Sequence, residues 1–363
     1  MNADFILAIG ELGKEKGIDP ELLFQAVEEA LVTAYKKNFG SNQNVRVDMN
    51  KVTGELHIYA QRHIVAEVGD DPNEISLEEA RKIDPRYEVD DIVETEVTPR
   101  NFGRIAAQNA KQVVVQRIRE AERGMVFEKF SSRENDIVTG IIQRMENKNV
   151  YIDLGKAEAI LTPNEQIPGE IYQYHDRMKT YIVEVKKTSK GPQIMVSRTH
   201  PGLLKRLFEL EVPEIHDGLV EIKSVAREPG MRSKISVYTK DENIDPVGAC
   251  VGHKGMRVQT IVNELRGEKI DIVKYSSEPD QYVANALSPA KVVSTEVLEE
   301  EKICRVIVPD YQLSLAIGKE GQNARLAAKL TGWKIDIKSE SQAAEEAEQV
   351  AQEVGVAYEA DED

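Results

Sequence analysis

The chain has 363 residues, of which 41% are hydrophobic, with two cysteines and a formal net charge of −16. It is too long for one ordinary core, so we expect roughly three or four domains, and no run approaches about 18 apolar residues, which excludes a membrane span. Two cysteines are too few for a disulfide framework or a metal site, and we predict that Cys250 and Cys304 are small buried hydrophobes. The first residues lack a basic segment and a signal-type cleavage site, which predicts a cytoplasmic protein.

The negative charge is concentrated at the two ends of the chain. Residues 1–130 carry 17 basic and 24 acidic side chains, and the last 23 residues carry eight acids and no Lys or Arg. The middle of the chain is therefore near neutral. A near-neutral domain binds RNA when its basic groups share one face, so the net charge by itself does not exclude nucleic acid.

Residues 1–125 are predicted to form an N-terminal α+β domain. Two helical patterns cover residues 3–37, with Asp19 as the N-cap of the second helix. An alternating segment with Gly54 at its turn predicts a β-hairpin, and Ser76 opens a short helix through a capping-box pattern. A further strand then precedes a long helical pattern over residues 105–122.

The rest of the chain divides into a connector, a barrel, two α/β units and a tail. Residues 126–134 are predicted to be a connector, and five short strands over residues 135–200 predict a small closed barrel. Residues 201–278 follow the order helix, strand, strand, helix, turn, helix, strand, and residues 279–341 largely repeat it. Residues 342–363 are rich in Ala and Glu, which predicts a loosely helical and then disordered acidic tail.

Two G-x-x-G turns occur in the same context within this internal repeat. Residues 252–255 (GHKG) lie 66 positions before residues 318–321 (GKEG), and each turn is followed by a K-I-D-I segment, at residues 269–272 and 334–337. A third G-x-x-G, formed by Gly10 and Gly13, needs no functional explanation, since Gly13 suits the C-cap of a helix. Because the later two turns repeat in the same context, they are better candidates for a functional site than a single turn would be.

Such a turn has the chemistry to grip a phosphate backbone. Gly252, Gly255, Gly318 and Gly321 have no Cβ to keep phosphate away, and the helix that starts behind each turn offers free N–H groups. Donors and charge come from His253, Lys254, Lys319, Arg257 and Arg325. A helix–turn–helix connector would use glycine for backbone reasons alone, but two copies favour binding of single-stranded RNA. Glu320 repels phosphate, so the first turn is expected to bind more strongly.

Both repeats resemble K-homology (KH) domains in the bacterial, type II arrangement, and the five-strand segment resembles an S1 domain of the OB-fold class, notably at VYIDLGKAEAIL. The resemblance implies that Tyr151 stacks on a base, although a strand tyrosine that packs on its neighbour explains it equally well. Lys148 takes the adjacent stacking position and Thr162 replaces a histidine. The RNA contact of the barrel is then weak, or is carried by Arg144, Lys148 and Arg198. In the loop before the fourth strand, aromatic residues either stack on bases or pack the loop: Tyr172, Tyr174 and His175.

The order of an α+β domain, one S1 barrel and two KH domains resembles the NusA family of bacterial transcription termination/antitermination factors. The resemblance covers about residues 1–340 and is most specific in DFILAIGELGKEKGID, SRENDIVTGIIQR and both K-I-D-I segments. It implies that residues 1–125 bind RNA polymerase and that the S1 and KH domains contact nascent single-stranded RNA. It further implies promotion of pausing and hairpin-dependent termination, and antitermination together with other Nus factors.

Two alternative functions would use the same predicted RNA contacts. One is an RNA-processing or RNA-degrading enzyme, against which stand the lack of a recognisable catalytic site in residues 1–130 and of any nucleotide-binding fingerprint. The other is a ribosome-associated RNA binder, which differs only in what the N-terminal domain docks on. We therefore predict a monomeric binding protein with no catalytic residue, metal or cofactor. Arg104, Lys111 and Arg119 on the long helix are candidate polymerase or RNA contacts, or a solvated helix face.

Overall fold

The structure of the protein is a computed structural model that describes residues 3–39, 42–69, 71–346 and 348–349. The chain forms two compact units, Met1–Glu128 and Lys129–Asp363, and each is considered by itself. Among the described residues, no helix is both long enough and apolar enough to cross a membrane.

The first unit packs three long helices on a small sheet. Its elements are α1 (Ala3–Lys16), α2 (Pro20–Phe39), β1 (Asn44–Met49), β2 (Leu56–Val65), β3 (Glu74–Ser76), α3 (Leu77–Ile83), β4 (Ile92–Glu96) and α4 (Phe102–Ser131). Strand β2 pairs with β1 and β4 antiparallel and with β3 parallel. The core lies where the apolar faces of α1, α2 and α4 meet β1 and β2.

The predicted caps of this unit are confirmed in two of three cases. The carboxylate of Asp19 accepts the Glu21 amide at 2.9 Å, and Ser76 Oγ accepts the Glu79 amide at 3.3 Å. The third is wrong, because α1 continues past Gly13 and turns at Gly17, whose φ of 68° is the left-handed conformation that ends helices.

The predicted connector at residues 126–134 is helical as far as Ser131, where α4 ends. Nothing in the sequence from Met125 to Ser131 breaks a helix: there is no proline, and the residues include good helix formers. The helix ends in two turns, in which the Arg133 amide donates to Phe130 O and the Glu134 amide to Ser131 O.

The second unit begins with the five-stranded barrel that the sequence predicts. Its strands are β5 (Ile137–Glu146), β6 (Asn149–Asp153), β7 (Glu158–Leu161), β8 (Arg177–Thr188) and β9 (Gly191–Ser197), which close in the order β5-β6-β7-β9-β8. The inward positions of the strands are buried and mostly apolar, as at Ile142, Ile152 and Ile182. This alternation leaves every second side chain on the outside of the barrel for other contacts.

Two α/β units follow, here called the first repeat (residues 201–278) and the second repeat (residues 279–341). The first contains α5 (Pro201–Glu211), α6 (Pro213–His216), β10 (Glu221–Glu228), β11 (Arg232–Tyr238), α7 (Pro246–Val251), α8 (Met256–Glu264) and β12 (Lys269–Lys274). The second contains α9 (Pro279–Ala286), β13 (Ser294–Leu298), β14 (Ile303–Val308), α10 (Leu313–Ile317), α11 (Gln322–Thr331) and β15 (Lys334–Ser339).

The repeats share their sheet topology. In each, the first two strands pair antiparallel and the K-I-D-I segment forms a third strand that pairs parallel with the middle one, from Arg232↔Lys269 in the first and Ile303↔Lys334 in the second. The predicted buried cysteines are confirmed, with Cys250 in α7 and Cys304 in β14. Residues 340–346 are helical, so the predicted acidic tail at residues 342–363 begins as a helix. Residues 347 and 350–363 of this tail lie outside the described residues.

Candidate nucleic-acid interface

The two G-x-x-G turns have the same backbone conformation. The first GxxG loop (residues 252–255) joins α7 to α8, and the second GxxG loop (residues 318–321) joins α10 to α11. Gly252 and Gly318 have φ/ψ of 73°/176° and 78°/171°, and Lys254 and Glu320 have 51°/27° and 54°/27°. The repeat seen in the sequence is therefore a repeat of the site.

The two glycines of each loop are needed for different reasons. A Cβ on Gly252 would lie 2.7 Å from Arg257 Cγ, and a Cβ on Gly318 would lie 2.8 Å from the backbone nitrogen of Asn323. The first glycine therefore lets the loop pack closely on the following helix. Gly255 and Gly321 also have positive φ, but nothing lies within 4 Å of an added Cβ. The second glycine therefore faces open space, where a phosphate can approach the backbone.

The residue five positions after the first glycine braces each loop. Arg257 Nη1 donates to Ala249 O at 2.6 Å and to the Glu214 carboxylate at 2.9 Å. Its counterpart Asn323 is buried and donates to Ala316 O and Leu287 O, each at 3.0 Å. Arg257 thus supports the backbone of the first GxxG loop, and its contact with RNA stays a prediction.

The tips of the loops differ in charge. His253, Lys254, Lys319 and Glu320 are all exposed, and within the part of the chain that the structure describes none of them takes part in an ion pair. The first tip presents a lysine and a histidine, whereas the second presents a lysine beside a carboxylate. Because the backbones match, this difference in charge is the main chemical difference between the two tips, and it favours the first for phosphate.

The second GxxG loop is tied to the first repeat through Glu228 at the end of β10. Arg325 Nε and Gln322 Nε2 donate to its carboxylate at 2.6 and 2.8 Å, and Arg325 Nη1 also donates to Glu320 O at 3.2 Å. The hydrogen bond from Arg325 lowers the pKa of Glu228. Arg325, predicted as an RNA contact, is therefore partly engaged within the protein and holds the loop backbone.

A buried lysine makes a second tie between the repeats. Lys234 is fully buried in β11, and its Nζ donates to Ser288 O and to the Asp271 carboxylate, each at 2.9 Å. Burial lowers the pKa of this ammonium. Ala226 and Val273 of the first repeat also lie in the apolar core of the second. Sequence reasoning missed this junction, since the only trace of it in the sequence is the aspartate of K-I-D-I.

On the barrel, the aromatic ring of Tyr151 is covered on one face by another side chain. The Arg144 guanidinium lies over it with Cζ 4.0 Å from the ring centroid, and the same guanidinium donates to Glu158 at 2.8 and 3.1 Å. Glu146 lies 3.6 Å from Arg144 Nη1. The stacking face is therefore covered by a cation that is already neutralised, while Lys148 is exposed on the turn before β6.

The prediction that Arg198 binds RNA is wrong. Its side chain is 1% exposed and pairs with the equally buried Glu170 at 2.5 Å. It also donates to Lys179 O at 2.8 Å and to Glu264 O at 3.0 Å. Because Glu264 ends α8 of the first repeat, Arg198 fastens the barrel to that repeat.

The three candidate cations on α4 are exposed in the first unit. Arg104, Lys111 and Arg119 are spaced by seven and eight residues, which places them along one side of the helix. Among the described residues none of the three forms an ion pair. In addition, α4 contains no acidic residue before Glu120, although residues 1–130 as a whole are acidic.

Comparison with protein families assigns each part of the chain. The model of the NusA N-terminal domain matches residues 4–124, and that of the S1 RNA binding domain matches residues 131–197. The models of the NusA-like first and second KH domains match residues 198–275 and 279–345. The barrel is thus an S1 domain, and the first and second repeats are KH domains, as the sequence predicted.

Several curated proteins are similar to this chain over most of their own length. The protein of Halalkalibacterium halodurans named "Transcription termination/antitermination protein NusA" is 66% identical over 345 residues, which are 95% of this chain and 90% of that one. Proteins of the same name from Bacillus subtilis and Thermus thermophilus are 65% and 42% identical, over 95% and 92% of this chain and 93% and 89% of theirs.

Proposed function

The chain belongs to the NusA family of transcription termination/antitermination proteins, and from that premise we propose that it is a non-enzymatic factor that couples RNA polymerase to the nascent transcript. The S1 and KH domains contact single-stranded RNA as it emerges, and residues 1–125 dock on the polymerase. In this role it promotes pausing and hairpin-dependent termination and takes part in antitermination with other Nus factors. A protein that meets the emerging transcript works where the transcript is made, in the bacterial cytoplasm.

The observation that carries the RNA half of the proposal is the pair of matching GxxG loops. Each offers positive-φ glycines, an exposed lysine and the start of a helix that faces open space, which is what a phosphate backbone needs for close approach. Gly252, His253, Lys254 and Gly255 form the stronger site. Gly318, Lys319 and Gly321 form the weaker one, because Glu320 shares its tip.

The charge distribution of the first unit supports the proposal that this unit docks on RNA polymerase. The exposed cations Arg104, Lys111 and Arg119 interrupt an otherwise acidic domain, and a row of unpaired cations attracts an acidic protein surface or RNA at the exit of the enzyme. We assign these residues to the contact with the transcribing complex.

Equilibrium binding to a labelled single-stranded RNA of about 15 nucleotides tests the RNA half, with fluorescence anisotropy as the readout. Lys254→Glu is expected to weaken binding by about sixfold to tenfold at low salt, and to reduce the salt slope by about 0.7, the share of one lost cation. Lys319→Glu should weaken RNA binding less than Lys254→Glu does. Lys205→Glu, an equal charge change on the exposed side of α5, is the control.

Equal affinity of all four proteins would contradict the assignment of the loops. The same mixtures test the enzymatic rival, since the proposal predicts that the RNA stays intact after long incubation with Mg²⁺. Degradation by the wild type would favour an RNA-processing enzyme instead.

A further inference from the structure

The loop between β7 and β8 of the S1 domain exposes an aromatic pair that the proposed function does not use. Tyr174 is 61% exposed, and its ring lies 4.8 Å from that of His175 in an edge-to-face arrangement. Ile171, three residues earlier in the same loop, is 66% exposed. Large apolar side chains grouped at one place on a surface mark an interaction site more often than single ones do.

The loop is held in place by its own contacts and by the first KH domain. Arg266, just beyond α8, donates to Ile171 O at 2.9 Å and to the Asp176 carboxylate at 2.8 Å. On the barrel side, the His175 amide donates to Ile142 O at 3.0 Å. The backbone on both sides of Tyr174 is therefore anchored, so a ligand meets a loop that is already ordered.

The two tyrosines of this loop have different roles. Tyr172 OH donates to Glu170 at 2.7 Å and accepts the Ile167 amide at 3.0 Å, and burial raises the pKa of its hydroxyl. Tyr172 thus packs the loop, whereas the outward Tyr174 ring has no such partner among the described residues beyond the edge of His175.

The local charge favours an anionic ligand. The acidic groups of the segment are already occupied, since Glu170 pairs with Arg198 and Asp176 with Arg266. The hydrogen bond from Arg266 lowers the pKa of Asp176. Arg177 is exposed directly after Asp176 and belongs to no ion pair of the described residues. Aromatic faces beside an unpaired arginine are the elements with which proteins hold single-stranded nucleic acid.

We propose that Tyr174 and His175 form a base-stacking platform for single-stranded RNA, with Arg177 as its phosphate contact. The inference rests on the proposed function and adds a site to it. Helix α8 starts immediately after the first GxxG loop and ends two residues before Arg266, which holds the platform. Nine helical residues rise about 14 Å, so an RNA of a few more nucleotides than the loop grips reaches both.

The test compares two lengths of labelled single-stranded RNA on the full chain. Tyr174→Ala is expected to weaken binding of a strand of about 15 nucleotides by roughly fivefold to a hundredfold, the range for loss of one base stack. The same variant should bind a strand of about five nucleotides, which covers one GxxG loop, as the wild type does. Tyr174→Phe keeps a ring and should bind both lengths normally. Tyr174→Leu keeps bulk without a ring and should resemble the alanine variant.

Several outcomes would overturn the platform. Unchanged binding of the long strand by Tyr174→Ala, while Lys254→Glu weakens it, would refute the platform and leave the proposed function standing. Equal weakening of both lengths would mean that the change disturbs the KH site instead. If Tyr174→Ala keeps full RNA affinity but loses a co-purifying protein, the surface serves a protein partner. Failure of the wild type to bind either strand would refute the proposed function, and the platform with it.

Discussion

Replacing Glu320 with lysine is expected to tighten binding of single-stranded RNA. Glu320 and Lys254 occupy the same position of the two GxxG loops and have the same backbone angles, 54°/27° and 51°/27°. Lys254 itself shows that a lysine is accommodated in this left-handed conformation. The hydrogen bond from Arg325 goes to the backbone oxygen of residue 320, so the substitution does not remove it.

The size of the effect follows from the exposure of the loop tip. A unit charge about 6.5 Å from a phosphate in a water-like dielectric interacts by about 0.6 kcal/mol. Exchanging a negative for a positive charge changes the interaction by about 1.3 kcal/mol, or roughly ninefold in affinity at low salt. One added cation steepens the salt dependence by about 0.7 in log–log slope.

Anisotropy titrations over a range of KCl concentrations measure both quantities. Glu300→Lys makes the same charge change in the exposed turn between β13 and β14 and serves as the control. A Glu320→Lys variant that binds RNA no more tightly than the wild type would refute this role of the loop tip. So would a Glu300→Lys variant that gains as much affinity for RNA. The second result would show that affinity follows net charge rather than the loops.

Three further changes probe the loop, the S1 face and the N-terminal sheet. Gly318→Ala should destabilise the second KH domain by about 1–3 kcal/mol in thermal unfolding, more than the same change at the second glycine of the loop, because the added Cβ meets the next helix. Glu158→Gln should tighten RNA binding about twofold to threefold at low salt by releasing the Arg144 guanidinium, and weaker binding in the same titration would contradict this. Arg46 and Gln61 lower the pKa of Glu94 to about 2, a contribution to stability that is present above the ordinary 4.5 and is lost as pH falls toward 2. An NMR titration of Arg46→Met should therefore show the Glu94 midpoint rising toward 4.5.

Elements with local signals were predictable from the sequence. Turn residues at 147–149, 155–156 and 190–192 lie between short apolar segments, and this pattern is sufficient to predict a five-stranded barrel. The two GxxG loops were predictable because a repeat of turn, helix and K-I-D-I strand constrains each copy by the other. Their equal backbone angles follow from the same glycines at the same positions.

The roles of individual cations were not predictable, because their partners are distant in sequence. Arg198 pairs with Glu170, 28 residues away, and Arg257 with Glu214, 43 residues away. From the sequence alone, a cation near the end of a strand or loop looks free to bind RNA, whereas in the fold a distant carboxylate can already pair with it. The brace at Asn323 was accessible in principle, since an alignment of the two repeats places it at the position of Arg257.

Apart from the aspartate of K-I-D-I, the junction between the KH domains had no signal in the sequence either. Lys234 lies in an ordinary strand pattern, and its buried ammonium donates to Ser288 O of the second KH domain. Burial of a charge is tolerated there because two oxygen acceptors are in place. Such compensation is a property of the assembled fold and cannot be read from one segment.

The most direct test of the account is in-vitro transcription by bacterial core RNA polymerase through a hairpin-dependent pause, in buffer, with the full chain, and with the full chain carrying Lys254→Glu and Lys319→Glu. Coupling of the polymerase to the transcript through the GxxG loops predicts that the wild-type chain prolongs the pause. The double variant should lose most of this effect while keeping its fold, as judged by an unchanged thermal unfolding profile. If the wild-type chain binds RNA but leaves the pause half-life at its value in buffer, coupling of polymerase to the transcript is contradicted.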